Sequence, residues 1–389
     1  MKLAAKKQGH PLIWINTGEI SGDLHAAALA KSLKNLAPEL RFTGMGGPAL
    51  AETDFLQEFN VDELSVMGLT EVISCLPRIL NLLGRIKKRL MEVRPDAIIL
   101  VDAPDFNFRI ARIANELNIP VFYYISPKVW AWRKGRIKFL KRYVKRILCI
   151  LPFEEDFYAA HGVDASYVGN PLMDQIPFEN LEMIRPEENR ITILPGSRQR
   201  EISGLMPPLL GAAEILLRKR PELNFCLSRA PGINKKILTS MLPRDFPVEI
   251  IEPEERYQAM RKSRVILAAS GTATLEAALI GTPCVIVYRL SKLSFMAGKI
   301  LVDLPYVGLP NLILHQEVFP ELLQREASPE LIAQKAEMWL DGGKALNNTM
   351  ALLEKIKSAI GGPGASLKAA EIILRDLVSL TGLPYQPSA

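Results

Sequence analysis

Acidic residues stand at the ends of two strand-like runs, where a proton could be taken up. AIILVDAPDFN (97–107) closes a buried apolar run with Asp102 and Asp105. An aspartate at a strand's carboxyl end, in a partly apolar loop, suits a general base, so Asp102 is the candidate. Asp105 reads as an N-cap for a helix starting near Phe106. NTGEISGD (16–23) sets Glu19 between Gly18 and Gly22. Small residues there let a ligand approach the first helix with Glu19 beside it, although Ser21 or Asp23 fits a plain N-cap equally well. The D-x-x-D spacing is no metal signature, and four histidines leave little material for one. Neither a metal nor a cofactor is expected.

Two further loops are suited to anions. In ILPGSRQREI (193–202), Gly196 allows close backbone approach, while Ser197 and Arg198 donate to phosphate oxygens. No GxxxxGK[ST] pattern is present, so this is not a Walker loop, and an ordinary turn with surface arginines stays open. AASGTATLEAAL (268–279) leads an apolar strand into a helix through Ser270, Gly271 and Thr272, whose hydroxyls and amides suit phosphate. Glu276 sits in that otherwise apolar helix. A capping box does not explain it: N3 is Leu275 if Thr272 is the cap, and Ala273 if Ser270 is. A ribose hydroxyl is one partner for it; a solvent-facing position is the other.

These loops need a scaffold that gathers strand ends. Strands are expected at LIWINTG, RFTGMG, AIILVDA, VFYYIS and RILCILP, with helices at 23–36, 75–93, 107–117 and 154–161. The scheme restarts at RITILPGSR and runs through NFCLSRA, VEIIE, VILAAS and CVIVYR. Short Val/Ile/Leu-rich strands alternating with helices indicate α/β domains with doubly wound parallel sheets. The proline-rich stretch 169–190 is the expected linker. Such sheets bind ligands beyond the carboxyl ends of their strands, which is where all four loops fall.

With 389 residues, 48% hydrophobic and 23% charged, the chain is long enough for two globular domains. No apolar run reaches the ~18 residues of a membrane span. PLIWIN after the N-terminal lysines is too short for a signal peptide. Cys75, Cys149, Cys226 and Cys284 are scattered without CxxC or Cys/His pairing, which suits reduced thiols. The net charge of +6 is uneven: RKGRIKFLKRYVKR (133–146) has eight basic residues and no acidic one. That stripe suits phosphate, an anionic membrane or nucleic acid, or is simply a solvated helix face. SVMGLTEVISCLPRILNLLGRIKKRL (65–90) mixes Met67, Leu69, Leu76, Ile79, Leu80 and Leu83 with Arg85, Lys87, Lys88 and Arg89. Core burial is its default reading, and an acyl-chain or membrane contact is the alternative.

Together the loops resemble the lipid-A-disaccharide synthases, bacterial glycosyltransferases of the GT-B type. The matching pieces are GEISGDLH (18–25), GMGGPAL (44–50), SVMGLTEV (65–72), VDAPDFN (101–107) and YYISPKVWAWRKGR (123–136). LPFEEDFY (151–158), LPGSR (194–198), SGTATLE (270–276) and YVGLPNLIL (306–314) follow in family order. The resemblance implies two Rossmann-like domains facing across a cleft. Residues 1–175 would bind the acceptor, 176–365 the UDP-sugar, and 366–389 would cross back to the first domain or pair with a second chain in a homodimer.

It also implies the reaction: UDP-2,3-diacylglucosamine and 2,3-diacylglucosamine 1-phosphate give a β-1,6 disaccharide 1-phosphate and UDP, with inversion and without metal. By carry-over, Asp102 resembles the candidate base and Glu19 a second acidic residue bearing on activity. Arg198, Glu276 and Asn311 match positions associated with donor binding or catalysis. Asn170 stands where the family commonly has His, which removes any protonatable role there. Acylated substrates favour 67–83 as an acyl or membrane contact and 133–146 as facing anionic headgroups or the acceptor phosphate. The expectation is a cytoplasmic enzyme on the inner face of the inner membrane, with no nucleic-acid partner. The rivals are another UDP-GlcNAc enzyme of this fold, such as an epimerase or a peptidoglycan glycosyltransferase, and a non-catalytic lipid- or nucleotide-binding protein. A dehydrogenase is disfavoured by the lack of GxGxxG.

Overall fold

The computed structural model describes residues 10–65, 76–130, 135–289 and 304–381. The chain divides into two compact units, Met1–Met173 with Gly362–Ala389, and Asp174–Gly361. The first unit holds β1 (Leu12–Thr17), β2 (Arg41–Gly46), β3 (Phe55–Asn60), β4 (Ala97–Val101), β5 (Val121–Tyr124), β6 (Arg146–Cys149) and β7 (Ala165–Tyr167). They form one parallel sheet in the order β3-β2-β1-β4-β5-β6-β7. The second unit holds β8 (Glu187–Leu194), β9 (Asn224–Ser228), β10 (Val248–Ile251), β11 (Ser263–Ala269), β12 (Cys284–Tyr288) and β13 (Glu321–Leu323). Its order is β10-β9-β8-β11-β12-β13, again parallel throughout.

The central strands are apolar on both faces because helices cover both. Every residue of β4 is buried, and β1 is buried after its first residue. On one face Ile13, Ile15, Ile99 and Val101 meet Ala26, Leu29, Ala30 and Leu33 of the helix Ile20–Leu36. That cluster also takes Ala369, Ala370, Ile373, Leu374 and Leu377 of the C-terminal helix Ala365–Thr381. Arg146 holds Asp376 of that helix at 2.5 Å. The helix packs this apolar stripe on the first unit, leaving Leu367 and Leu380 exposed. On the other face Trp14, Ile98 and Leu100 pack with Leu82, Leu83, Ile86 and Leu90 of the helix Leu76–Val93.

Several boundaries differ from the sequence reading. Helices begin earlier, at Ile20, Pro104 and Pro152; at the last two, proline is tolerated in the first turn, where its missing N–H costs nothing. Asp105 therefore lies inside its helix, paired with Arg136, and the N-cap is Ala103. The segment 169–190 contains the short helices Leu172–Gln175 and Phe178–Leu181 and the start of β8. Strands β3, β7 and β13 are additions. Each is an outermost strand, and their short or half-exposed sequences lack the apolar run that marks an inner strand.

Leu83 is a correction. It is buried in the core, so it has no surface to offer an acyl chain. Ile79 is half-buried against the same cluster, and Leu80 is exposed. Met67 and Leu69 lie outside the described residues, as does the side chain of Leu76.

Candidate functional site

In the first sheet the order reverses between β1 and β4, which lie side by side with Thr17 opposite Val101. The loops after these strands carry Glu19 and Asp102, at the kind of switch point where such sheets bind ligands. The two loops touch. A Cβ on Gly18 would lie 2.2 Å from the Cβ of Ala103, so only glycine allows the approach. Glu19 caps the helix Ile20–Leu36 from an exposed, extended position.

Asp102 and Ala103 both adopt left-handed backbone, with φ of +50° and +43°. Each such residue without a glycine costs about 1–3 kcal/mol and needs compensation. The Asp102 carbonyl accepts hydrogen bonds from the Tyr123 hydroxyl at 2.6 Å and Asn107 Nδ2 at 2.8 Å. Asn107 Nδ2 also reaches the Val101 carbonyl at 3.1 Å, and its Oδ1 accepts from Asn16 Nδ2 at 2.8 Å. Asn16, Asn107 and Tyr123 are fully buried, so this frame is rigid. Burial raises the Asp102 carboxyl above its ordinary value, opposed by the Ala103 N–H and the charge of Lys128. A carboxylate tuned upward is a better proton acceptor.

Lys128 is exposed on the loop after β5, and that loop is clamped from below. Fully buried Glu154 accepts from Ser126 Oγ at 2.5 Å and Trp130 Nε1 at 2.8 Å through one oxygen. Its other oxygen takes the amides of Ile150 and Leu151 at 3.2 and 3.1 Å. The Tyr158 hydroxyl donates to the Pro127 carbonyl at 3.0 Å. Burial pushes Glu154 up, against those four bonds.

Two other motif residues are structural. Asp23 is buried and accepts from the amides of Gly47 and Ala49 at 2.7 and 2.8 Å, tying GMGGPAL to the first helix. Asn170 is buried, donates to the Ile150 carbonyl at 2.9 Å and accepts from the Leu172 amide at 3.0 Å. His25 is pushed down to about 4 by burial and stays neutral at physiological pH.

In the second sheet the order reverses between β8 and β11, neighbours with Leu194 opposite Ala268. Gly196, at φ +116°, turns the chain after β8 and leaves Ser197 and Arg198 exposed. Their amides lean on Glu201 Oε2 at 3.2 and 3.3 Å. After β11, Ser270 is half-buried, and Gly271 and Thr272 are exposed where the helix Thr272–Ile280 begins. Gly271 is the N-cap, so N3 is Thr274 and Glu276 lies beyond any capping box.

Glu276 is buried, not solvent-facing. Its Oε1 accepts from Arg256 Nη2 at 3.0 Å and the Tyr257 hydroxyl at 3.2 Å. No hydrogen bond from the described residues reaches Oε2. Burial raises its carboxyl, and Arg256 and Tyr257 oppose that. Tyr257 is pushed up to about 12, chiefly by burial and then by the Glu276 charge.

Asn311 is fully buried, and its amide is used up inside the unit. Nδ2 donates to the Phe319 carbonyl at 2.8 Å and Glu321 Oε1 at 2.7 Å; Oδ1 accepts from the amides of Val318 and Phe319 at 2.8 and 2.9 Å. Glu321 also takes the amides of Val307 and Gly308 at 2.8 and 2.9 Å. Asn311 thus shapes the YVGLPNLIL loop, and this arrangement leaves it no free valence for a ligand.

The sequence alone gives no role to Arg256, Tyr257, Lys128, Glu201 or Glu321. LPFEEDFY contains Glu154, to which the sequence alone gives no role. Leu151 has no side-chain oxygen to complete a capping box, so the sequence carried no such signal there. For Arg256 no local signal exists, since its partner lies twenty residues on. Among the described residues no group of three or more His, Cys, Asp or Glu side chains is placed to hold a metal.

A family model described as lipid-A-disaccharide synthetase matches residues 13–373. The chain belongs to the lipid-A-disaccharide synthase family. A relative of that name from Myxococcus xanthus is 40% identical over 372 residues, covering 94% of this chain and 97% of its own. One from Anaeromyxobacter dehalogenans is 41% identical over 369 residues, covering 93% and 96%. The UDP-GlcNAc 2-epimerase of Neisseria meningitidis bound to UDP-GlcNAc has a similar fold, with a TM-score of 0.66 at 15% identity over 94% of this chain and all of that one. A Staphylococcus aureus MnaA structure with UDP gives 0.65 at 13%, over 97% and 99%. Two parallel-sheet α/β units with these neighbours are the GT-B fold, and the family is one of glycosyltransferases. The family match favours lipid A synthesis over the epimerase, peptidoglycan and non-catalytic readings, even though the fold neighbours include epimerases.

Proposed function

We propose that the chain transfers 2,3-diacylglucosamine from UDP-2,3-diacylglucosamine to 2,3-diacylglucosamine 1-phosphate. The family match along residues 13–373 carries this reading. Asp102 takes the proton from the acceptor's 6-hydroxyl. That oxygen bonds to C1 of the donor sugar from the face opposite the leaving group, the C1–O bond to the diphosphate breaks, and UDP leaves with the electron pair. A single displacement of this kind inverts the anomeric carbon and gives the β-1,6 linkage. Asp102's raised carboxyl and its braced backbone support the assignment. Glu19, on the loop touching Ala103, is read as the second acidic group facing the acceptor.

Residues 1–175 would then bind the acceptor and 176–365 the donor. Arg198, Ser197, Ser270, Gly271 and Thr272 would hold the diphosphate, with charge balanced by the arginine and helix-end amides rather than a metal ion. Glu276 would take a ribose hydroxyl through Oε2, and Asn311 would act by shaping its loop.

Peripheral attachment to the inner face of the inner membrane completes the reading. Among the described residues no helix is long and apolar enough to cross a membrane. Exposed Leu80 lies among cations on its helix, and Arg109, Arg112, Lys138, Lys141, Arg142 and Lys145 are exposed on or beside Pro104–Glu116 and Arg136–Tyr143. Flotation with anionic vesicles at low salt tests this, and no binding would remove it. The activity is tested by UDP release from the diacylated donor with the diacylated acceptor. Turnover is expected with that pair and not with unacylated UDP-GlcNAc; equal rates on both donors would favour the soluble-sugar rival.

A further inference from the structure

We propose that Arg256 and Tyr257 form a positioning pair that presents Glu276 to the ribose of a uridine nucleotide. The inference rests on the reading of Glu276 as the ribose acceptor. Its starting point is a carboxylate 5% exposed within a helix whose other buried residues are apolar except Thr274, and the Thr274 hydroxyl is spent on the Gly271 carbonyl. A buried carboxylate persists only when paired and hydrogen-bonded. Both donors approach the same oxygen: Arg256 Nη2 at 3.0 Å and the Tyr257 hydroxyl at 3.2 Å. Arg256 Nη2 is also 2.7 Å from that hydroxyl, so the three groups close a triangle.

The arginine is set by stacking more than by further bonds. Its guanidinium lies 4.5 Å from the Tyr257 ring centroid, and its Nε is buried without a hydrogen-bond partner among the described residues. Tyr257 therefore does two things: it orients Arg256 by its ring and holds Glu276 by its hydroxyl. Oε1 is fixed and Oε2 is left to accept. A bare structural ion pair would more naturally use the bidentate arginine fork on both oxygens. Here one oxygen carries both donors, the arrangement expected when the second oxygen serves a ligand hydroxyl.

The test compares the affinities of UDP and 2′,3′-dideoxy-UDP, measured by titration calorimetry on the full chain. Wild type should prefer UDP by about tenfold or more, the worth of one or two hydrogen bonds to a charged acceptor. Glu276→Gln should lose that preference. Tyr257→Phe and Arg256→Gln should also lose most of it while binding dideoxy-UDP within about twofold of wild type, and Arg256→Lys should recover part of it. Tyr257→Phe carries the test if Arg256→Gln fails to fold. A wild-type preference kept in Tyr257→Phe and Arg256→Gln but lost in Glu276→Gln overturns the positioning role alone. Equal weakening toward both nucleotides in those variants would also overturn it, as a merely structural effect. No preference in wild type would remove the ribose reading of Glu276 and this inference with it.

Discussion

The two units place loops at equivalent points, after neighbouring strands where the sheet order reverses, yet they finish them differently. After β4 the backbone is forced into two left-handed residues and braced by Asn107 and Tyr123, with Glu154 clamping the loop beyond β5. After β8 and β11 the polar groups suited to phosphate, Ser197, Arg198, Gly271 and Thr272, are exposed, and only Glu276 and Asn311 are held deep. The contrast fits the task that the proposal gives to each. One carboxylate moving one proton needs a fixed position and a tuned pKa. A diphosphate has many acceptor oxygens and can be gripped by several donors at once.

If that division is right, the largest effect belongs to the first unit. Asp102→Asn should lower the rate of UDP release by about a hundredfold to ten-thousandfold, the usual worth of a general base. UDP affinity by calorimetry should stay within about twofold. A comparable loss in UDP affinity would erase the distinction between the units. Next, Arg198→Ala should weaken UDP binding by about ten- to a hundredfold, the range for losing a charge-assisted contact, without lowering the melting temperature. An unchanged affinity would remove the exposed loop from the donor site.

How much of this was legible beforehand depends on which interactions are local. The strand–loop–helix units at 12–36, 97–116 and 263–280 carry their own apolar runs, glycines and acidic residues, so the loops bearing Asp102 and Glu276 could be read directly. The strand order that puts them at switch points could not. Edge strands such as Phe55–Asn60 could not, because half-exposed residues lack an apolar run. The braces could not either. Glu154 serves Ser126 from 28 residues away and Arg256 serves Glu276 from 20, pairings fixed only by the tertiary fold. At Leu83 the default reading of core burial holds and the acyl-contact alternative does not, while the Asn311 side chain is spent on its own loop.

A smaller effect tests the clamp. Glu154→Gln replaces one acceptor oxygen with an amide that faces hydrogen-bond donors, and should destabilise the first unit by about 1–3 kcal/mol. Faster hydrogen exchange should appear at 126–130 before it appears around 195–198. Uniform change in both loops would mean that the clamp is not specific to the first. The smallest effect is in the pH profile. Burial raises Asp102, so the acid limb of kcat/KM should lie above the ordinary carboxylate range, with activity falling as pH drops through it. Lys128 favours the ionised form. Lys128→Ala should therefore move that limb to higher pH, and an unmoved limb would show that Lys128 does not act on the base.

The central claim is that the first unit's braced aspartate performs the chemistry while the second unit holds the donor. Its most direct test is single-turnover formation of the disaccharide 1-phosphate by Asp102→Asn, with donor and acceptor both saturating. The account predicts a rate at least about a hundredfold below wild type that more substrate does not restore. A wild-type rate at saturation would contradict it and move the base elsewhere.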